Sequence, residues 1–141
     1  DAPAFVGRLG GAGSSVLDAL ATASSTTVLP ATSIAVAQRI EFATTDNATA
    51  FAYAYFPTNA DFDGPPGEKP PLLVKAHGGP TACAKTGFSP AIQFWCSRGF
   101  AVCDVDYRGS TGYGRAYRRA LRGQWGVRDV DDVCAAARAL A

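Results

Sequence analysis

Leu72-Leu73-Val74-Lys75-Ala76 runs straight into His77-Gly78-Gly79-Pro80, and that join decides how the rest of the chain is read. A short, nearly unbroken apolar run is the pattern of a strand covered on both faces. Gly78 and Gly79 then let the backbone turn through dihedrals that other residues avoid, and they leave main-chain N–H groups without side-chain cover. Further on, Ser89 and Pro90 supply a helix cap and a first helical residue, and Gly99 suits the helix end. Ile92, Trp95 and Cys96 give that helix its expected apolar side. Residues 100–105 return as a second apolar strand. Strand, helix and strand in this order form a βαβ unit, whose crossover makes the two strands parallel. The link between residues 77 and 90 exceeds the usual two to six residues or so of a strand-to-helix loop, and it leaves from the carboxyl end of its strand, where open α/β sheets bind ligands.

Upstream, Ile40, Phe42 and Thr44 alternate with Glu41 and Ala43, and Phe51, Tyr53 and Tyr55 alternate with Ala52 and Ala54. Two strands follow from this alternation, with Phe51, Tyr53 and Tyr55 on one face. Thr45-Asp46-Asn47-Ala48 between them is turn chemistry and predicts an antiparallel hairpin, so the glycosylation-like Asn47-Ala48-Thr49 is read as part of the turn. Gly64-Pro65-Pro66-Gly67-Glu68-Lys69-Pro70-Pro71 can neither pair in a sheet nor continue a helix, and is expected as a surface loop. Residues 1–33, rich in Gly, Ala, Ser and Thr, show neither a helical nor a strand period and are expected to be a connector or domain edge.

Downstream stands Asp106-Tyr107-Arg108-Gly109-Ser110-Thr111-Gly112-Tyr113-Gly114. Tyr113, Tyr117 and Leu121 recur every four residues and predict a short helix with its apolar stripe inward, its other sides covered by Arg115, Arg118, Arg119 and Arg122. A last helix opens on Asp129, Asp131 and Asp132, favourable at the positive end of its dipole, with Val130, Val133, Ala137 and Leu140 as its expected buried side.

At 141 residues, 48% hydrophobic and 18% charged, the chain has enough material for a core. A net charge of +1 gives no global attraction to nucleic acid. Arg108, Arg115, Arg118, Arg119, Arg122 and Arg128 make a local basic patch, but no nucleic-acid recognition motif accompanies it and three aspartates follow at once, so it is read as a solvated face or a contact with another domain. No apolar run is long enough for a membrane span. The four cysteines form no Cys-x-x-Cys pair and there is one histidine, so no zinc site or other metal site is expected, and the thiols read as free in a reducing, cytoplasmic compartment. The chain begins at Asp1, contains no methionine and stops at Ala141 inside a predicted helix, so it is read as a piece of a longer protein.

N–H groups exposed by Gly-Gly after a buried strand suit the stabilisation of an oxyanion. A nucleophile does not come with them: no Gly-x-Ser-x-Gly occurs, His77 is the sole histidine, and Arg108 stands two places before Ser110 where that motif has glycine. Ser110 is read as a loop hydroxyl, and His77 as a supporting residue.

The text PPLLVKAHGGPTA at residues 70–82 and FWCSRGFAVCDVDYRGSTGYGRAYRRALRGQWGVRDVDDV at residues 94–133 resembles the prolyl oligopeptidase family of serine peptidases, near its acylaminoacyl-peptidase and dipeptidyl-aminopeptidase branches. The resemblance spans residues 34–141, with Asp106 in a place where relatives often carry Asn. It implies the N-terminal part of a catalytic α/β-hydrolase domain at 34–141, in which an antiparallel pair leads into a parallel βαβ sheet, preceded at 1–33 by the connector or end of a β-propeller. It implies an acyl-enzyme peptidase for short oligopeptides, without cofactor, nucleic-acid or membrane partner, whose Ser, Asp and His follow later in the chain. The backbone N–H of Gly79 is then the oxyanion donor. His77, Gly78, Pro80, Tyr107, Arg108, Gly109 and Ser110 are the loop residues that shape the site. An esterase or lipase of the same fold, or an inert binding module, are the alternatives, and this chain alone is expected to be inactive.

Overall fold

The computed structural model describes residues 5–9, 17–22, 30–79 and 81–141. Strands β1 (Phe5–Leu9) and β2 (Leu17–Thr22) pair antiparallel, Phe5 opposite Thr22, with a register shift between Val6 and Gly7. Two strands therefore lie within residues 1–33, where the sequence shows no strand period. Gly7 sits at the irregularity, where a glycine within a strand breaks the alternation that sequence reading depends on.

The main sheet comprises β3 (Gln38–Ala43), β4 (Thr49–Tyr55), β5 (Leu72–Ala76) and β6 (Ala101–Asp106), in the order β3-β4-β6-β5. The hairpin forms as expected, Gln38 opposite Ala54 and Ala43 opposite Thr49. Its turn places Asp46 at φ 63° and Asn47 at φ 52°, left-handed conformations that these two residue types tolerate better than most. β6 lies antiparallel to β4 and parallel to β5, so the sheet is mixed, and the βαβ unit is present. Its crossover helix is α1 (Pro90–Cys96), followed after β6 by α2 (Gly114–Arg119) and α3 (Arg128–Leu140). None of the described helices is long and apolar enough to cross a membrane.

On one face of the sheet Ala50, Ala52, Cys103 and Val105 pack with Ala135 and Ala136 of α3. On the other, Tyr55 and Val102 pack with Ile92 and Cys96 of α1. Small alanines on β4 let α3 approach closely, while the aromatic residues of the same strand take the opposite face.

Three side-chain placements depart from apolar periodicity. β5 is half-buried at the edge of the described sheet: Leu72 and Val74 pack on the α3 side and Leu73 on the α1 side, so both faces are partly covered, while Lys75 and Ala76 are exposed. In α1, Trp95 is 40% exposed and Gln93 is buried instead, because its amide accepts the Ala35 N–H at 2.8 Å and donates to the Ala35 carbonyl at 3.0 Å. In α3, Val130 is exposed while Asp132 is fully buried. A buried polar group is tolerable when it is bonded, and both have partners.

Candidate active site

Ala76 lies opposite Val105, so β5 and β6 release their following loops side by side at the carboxyl end of the parallel pair. There the rings of His77 and Tyr107 stack, their centroids 4.4 Å apart. The Tyr107 hydroxyl lies 3.1 Å from the His77 carbonyl, 3.0 Å from the Gly79 carbonyl and 3.3 Å from His77 Nδ1. One phenolic proton is shared among these acceptors. Burial, then the charges of Asp129 and Asp106, push the Tyr107 pKa above its ordinary value, which keeps that proton in place.

Gly79 is exposed and takes φ +66°, the left-handed region that favours glycine. Its carbonyl is occupied by Tyr107, while its N–H meets no hydrogen-bond acceptor among the described residues. A Cβ built on Gly79 meets nothing within 4 Å, so the space beside this amide is open. Gly78 is also exposed, and Pro80 lies outside the described residues.

His77 Nε2 stands 2.6 Å from Ser110 Oγ and 3.8 Å from Asp106 Oδ1. Serine, histidine and aspartate thus meet, but the wiring is not that of a nucleophile. Ser110 donates to the Tyr107 carbonyl at 2.7 Å, so its oxygen accepts from His77, which assigns the proton to Nε2. Ser110 is fully buried with its proton already committed. It is a strut beneath the loop.

Asp106 is buried, accepting the Ala84 N–H at 2.6 Å on one oxygen and the Tyr113 hydroxyl at 2.6 Å on the other. Tyr117 donates to the Asp106 carbonyl at 2.6 Å, and the Thr111 N–H bonds the Ala82 carbonyl at 2.9 Å. Tyr113 stacks on Phe51 at 4.4 Å, and burial, then its bond to Asp106, drive its pKa well above the ordinary tyrosine value. These links tie the long loop after β5 to the loop after β6.

Arg108 is 3% exposed, which corrects its place in an expected solvated patch. Its backbone N–H donates to Asp132 at 2.7 Å and its guanidinium reaches the same carboxylate at 2.9 Å. Asp132 also accepts the Thr44 hydroxyl at 2.7 Å, while Arg108 reaches on to Thr45 Oγ1 at 2.7 Å and Asp46 at 3.3 Å. Burial works against the charge on Arg108, but the bonds and charges of Asp132 and Asp46 outweigh it and raise its pKa. Arg108, with its two carboxylate partners, therefore joins the hairpin turn, the loop after β6 and α3. Gly109, at φ +119°, donates its N–H to the Tyr117 carbonyl at 3.0 Å, and a Cβ there would lie 2.6 Å from Leu121 Cδ2. The anchoring roles of Asp106 and Asp132 were not foreseen from the sequence. The one available signal was the need of a buried arginine for a carboxylate, and it required knowing that Arg108 is buried.

A groove of about 530 Å³, lined by Lys75, His77, Gly78, Cys83, Lys85 and Ser89 among others, adjoins this loop. A second cleft of about 600 Å³ lies between residues 57–64 and the end of α1, at the other end of the parallel strands.

Residues 86–141 match the model of the prolyl oligopeptidase family. The chain is 38% identical over 96 residues to dipeptidyl aminopeptidase BIII of Pseudoxanthomonas mexicana, a match covering 67% of this chain and 14% of that protein. A puromycin-hydrolyzing peptidase of Mycobacterium tuberculosis aligns structurally over 98% of this chain and 21% of its own, with a TM-score of 0.91 and 38% identity. A puromycin hydrolase aligns over 85% of this chain and 18% of its own, at TM-score 0.79 and 44% identity. The chain thus spans about a fifth or less of each of these relatives.

Proposed function

Since the chain belongs to the prolyl oligopeptidase family over residues 86–141, we propose that the whole protein is a serine peptidase hydrolysing short peptides through an acyl-enzyme, and that this chain provides one oxyanion donor, the Gly79 N–H. The observation that carries the reading is this amide: exposed, without an acceptor among the described residues, and held at the carboxyl end of the parallel strands. Donors fixed in advance where negative charge develops lower the barrier because nothing need reorganise as the reaction proceeds. Tyr107 supplies the fixing: its hydroxyl bonds the His77 and Gly79 carbonyls, which flank the Gly78–Gly79 peptide that carries this N–H, while His77 and Ser110 hold Tyr107 in turn.

In this reading residues 34–141 are the N-terminal part of the catalytic α/β-hydrolase domain, residues 1–33 lead into it from a β-propeller, and Ser, Asp and His are supplied by residues outside 1–141. Clustered glycines and small residues at the start of the chain, together with the alignment to a peptidase nearly five times its length, support that division.

The test is to express the full-length protein and treat it with a fluorophosphonate probe, then assay dipeptidyl and N-acyl-aminoacyl nitroanilides against p-nitrophenyl esters. Labelling of one serine with turnover of the peptide substrates is expected, and residues 1–141 alone should take no label. Turnover of esters without peptides would replace the reading with an esterase. Absence of labelling in the full-length protein would leave a binding module.

A further inference from the structure

Arg118, Arg119 and Arg122 stand around one open cleft of about 470 Å³, with Thr81 on its rim, Leu121 as its buried base and Trp125 on its wall. None of the three guanidinium groups has an ion pair or a hydrogen-bond acceptor among the described residues. Two others in the same arginine-rich stretch behave differently, Arg108 being neutralised by Asp132 and Arg128 by Asp46 at 3.0 Å, while Arg115, which also has no ion pair among the described residues, does not line the cleft. Converging cations repel one another, and a concave wall concentrates their field rather than dissipating it into water. Such an arrangement suits an anion, and the planar guanidinium fork is matched to a carboxylate.

Location narrows the anion further. Thr81 is two residues from Gly79, and two residues of extended chain span at most about 7 Å, so the rim of the cleft begins within one peptide unit or two of the proposed oxyanion donor. Trp125, 57% exposed, offers apolar surface beside the charges, as a peptide side chain or backbone would require. A cleft of this volume falls within the range of about 300–1,000 Å³ typical of sites for small ligands and ligand groups.

We propose that this cleft is a substrate subsite that receives a carboxylate of the peptide, either its C-terminal group or an acidic side chain, on the guanidinium groups of Arg118, Arg119 and Arg122. The proposal rests on the peptidase reading above.

Its test uses the full-length enzyme and a matched set of peptides: free C-terminal acid against amide, and Glu against Gln at each position flanking the scissile bond. The acid or the Glu peptide should be preferred in kcat/KM by about tenfold or more, as expected of hydrogen bonds to charged groups, and the better of the two identifies the source of the carboxylate. R118Q/R119Q/R122Q should abolish the preference while leaving turnover of the neutral peptide within about twofold, and R118K/R119K/R122K should retain part of it, because charge without the fork still attracts. Added salt should weaken the preference in the native enzyme. Equal turnover of charged and neutral peptides by the native enzyme, or a preference that survives the Gln variant, would overturn the proposal while leaving the peptidase reading intact. Absence of turnover for every peptide would instead overturn the peptidase reading.

Discussion

The two ends of the parallel strands invert the usual distribution of polarity. At the carboxyl end, Asp106, Arg108, Ser110 and Asp132 are all at least 97% buried, and each has hydrogen-bond partners. At the amino end, Phe56 and Phe62 of the loop between β4 and β5 stand 40% and 77% exposed. Burying charge costs free energy that a simple core would not require, so a buried polar network marks a place where geometry is being enforced. Exposed aromatic residues in a Pro- and Gly-rich loop enforce nothing on the sheet. The contrast shows that in this chain the rigid part is polar, and that it lies beneath the loop that exposes the Gly79 amide.

The sharpest way to break the contrast is Asp132→Ala, which strands the Arg108 guanidinium and the Thr44 hydroxyl in the interior. A loss of about 3–5 kcal/mol in equilibrium unfolding of the full-length protein is expected, and a loss below about 1 kcal/mol would mean that the pair does not hold the site together. Next comes Gly109→Ala. Its new Cβ would press on Leu121 and hold an unfavourable φ, so a destabilisation of about 1–3 kcal/mol is expected, partly relieved by pairing it with Leu121→Ala. Tyr107→Phe should be milder in stability yet visible in rate: one lost hydrogen bond of about 0.5–1.5 kcal/mol frees the Gly79 carbonyl, and kcat should fall by up to roughly tenfold with KM nearly unchanged. At the other end of the sheet, Phe62→Ala should shift stability by no more than about 0.5 kcal/mol, measured by the same unfolding assay.

Sequence reading reached the fold where side-chain contrast was strong. The hairpin over residues 38–55 shows in its alternation, and the βαβ unit in its apolar runs and glycine punctuation, and both are present. It missed β1 and β2, whose small residues and Gly7 bulge provide little contrast between faces. It misplaced Trp95, Val130 and Arg108 for a single reason. Apolar periodicity assigns every charged or amide side chain to the outside, whereas Gln93 and Asp132 turn inward because specific partners, the Ala35 backbone and Arg108, await them across the fold. Such partners lie far apart in the chain, and no local pattern reports them. For the same reason the loop Asp106–Ser110 could be recognised as important beside His77 while its bonds to Ala84, Tyr113 and Asp132 could not be assigned.

One amide hydrogen, that of Gly79, carries the proposed stabilisation of the oxyanion. Replacing Gly79 by glycolic acid in the full-length enzyme exchanges its N–H for an ester oxygen and adds no side chain at the φ +66° position. A fall in kcat of about 10²–10³, with KM little changed and the fold intact by circular dichroism, is the predicted result. An ester-containing enzyme that turns over peptides at the native rate would contradict it.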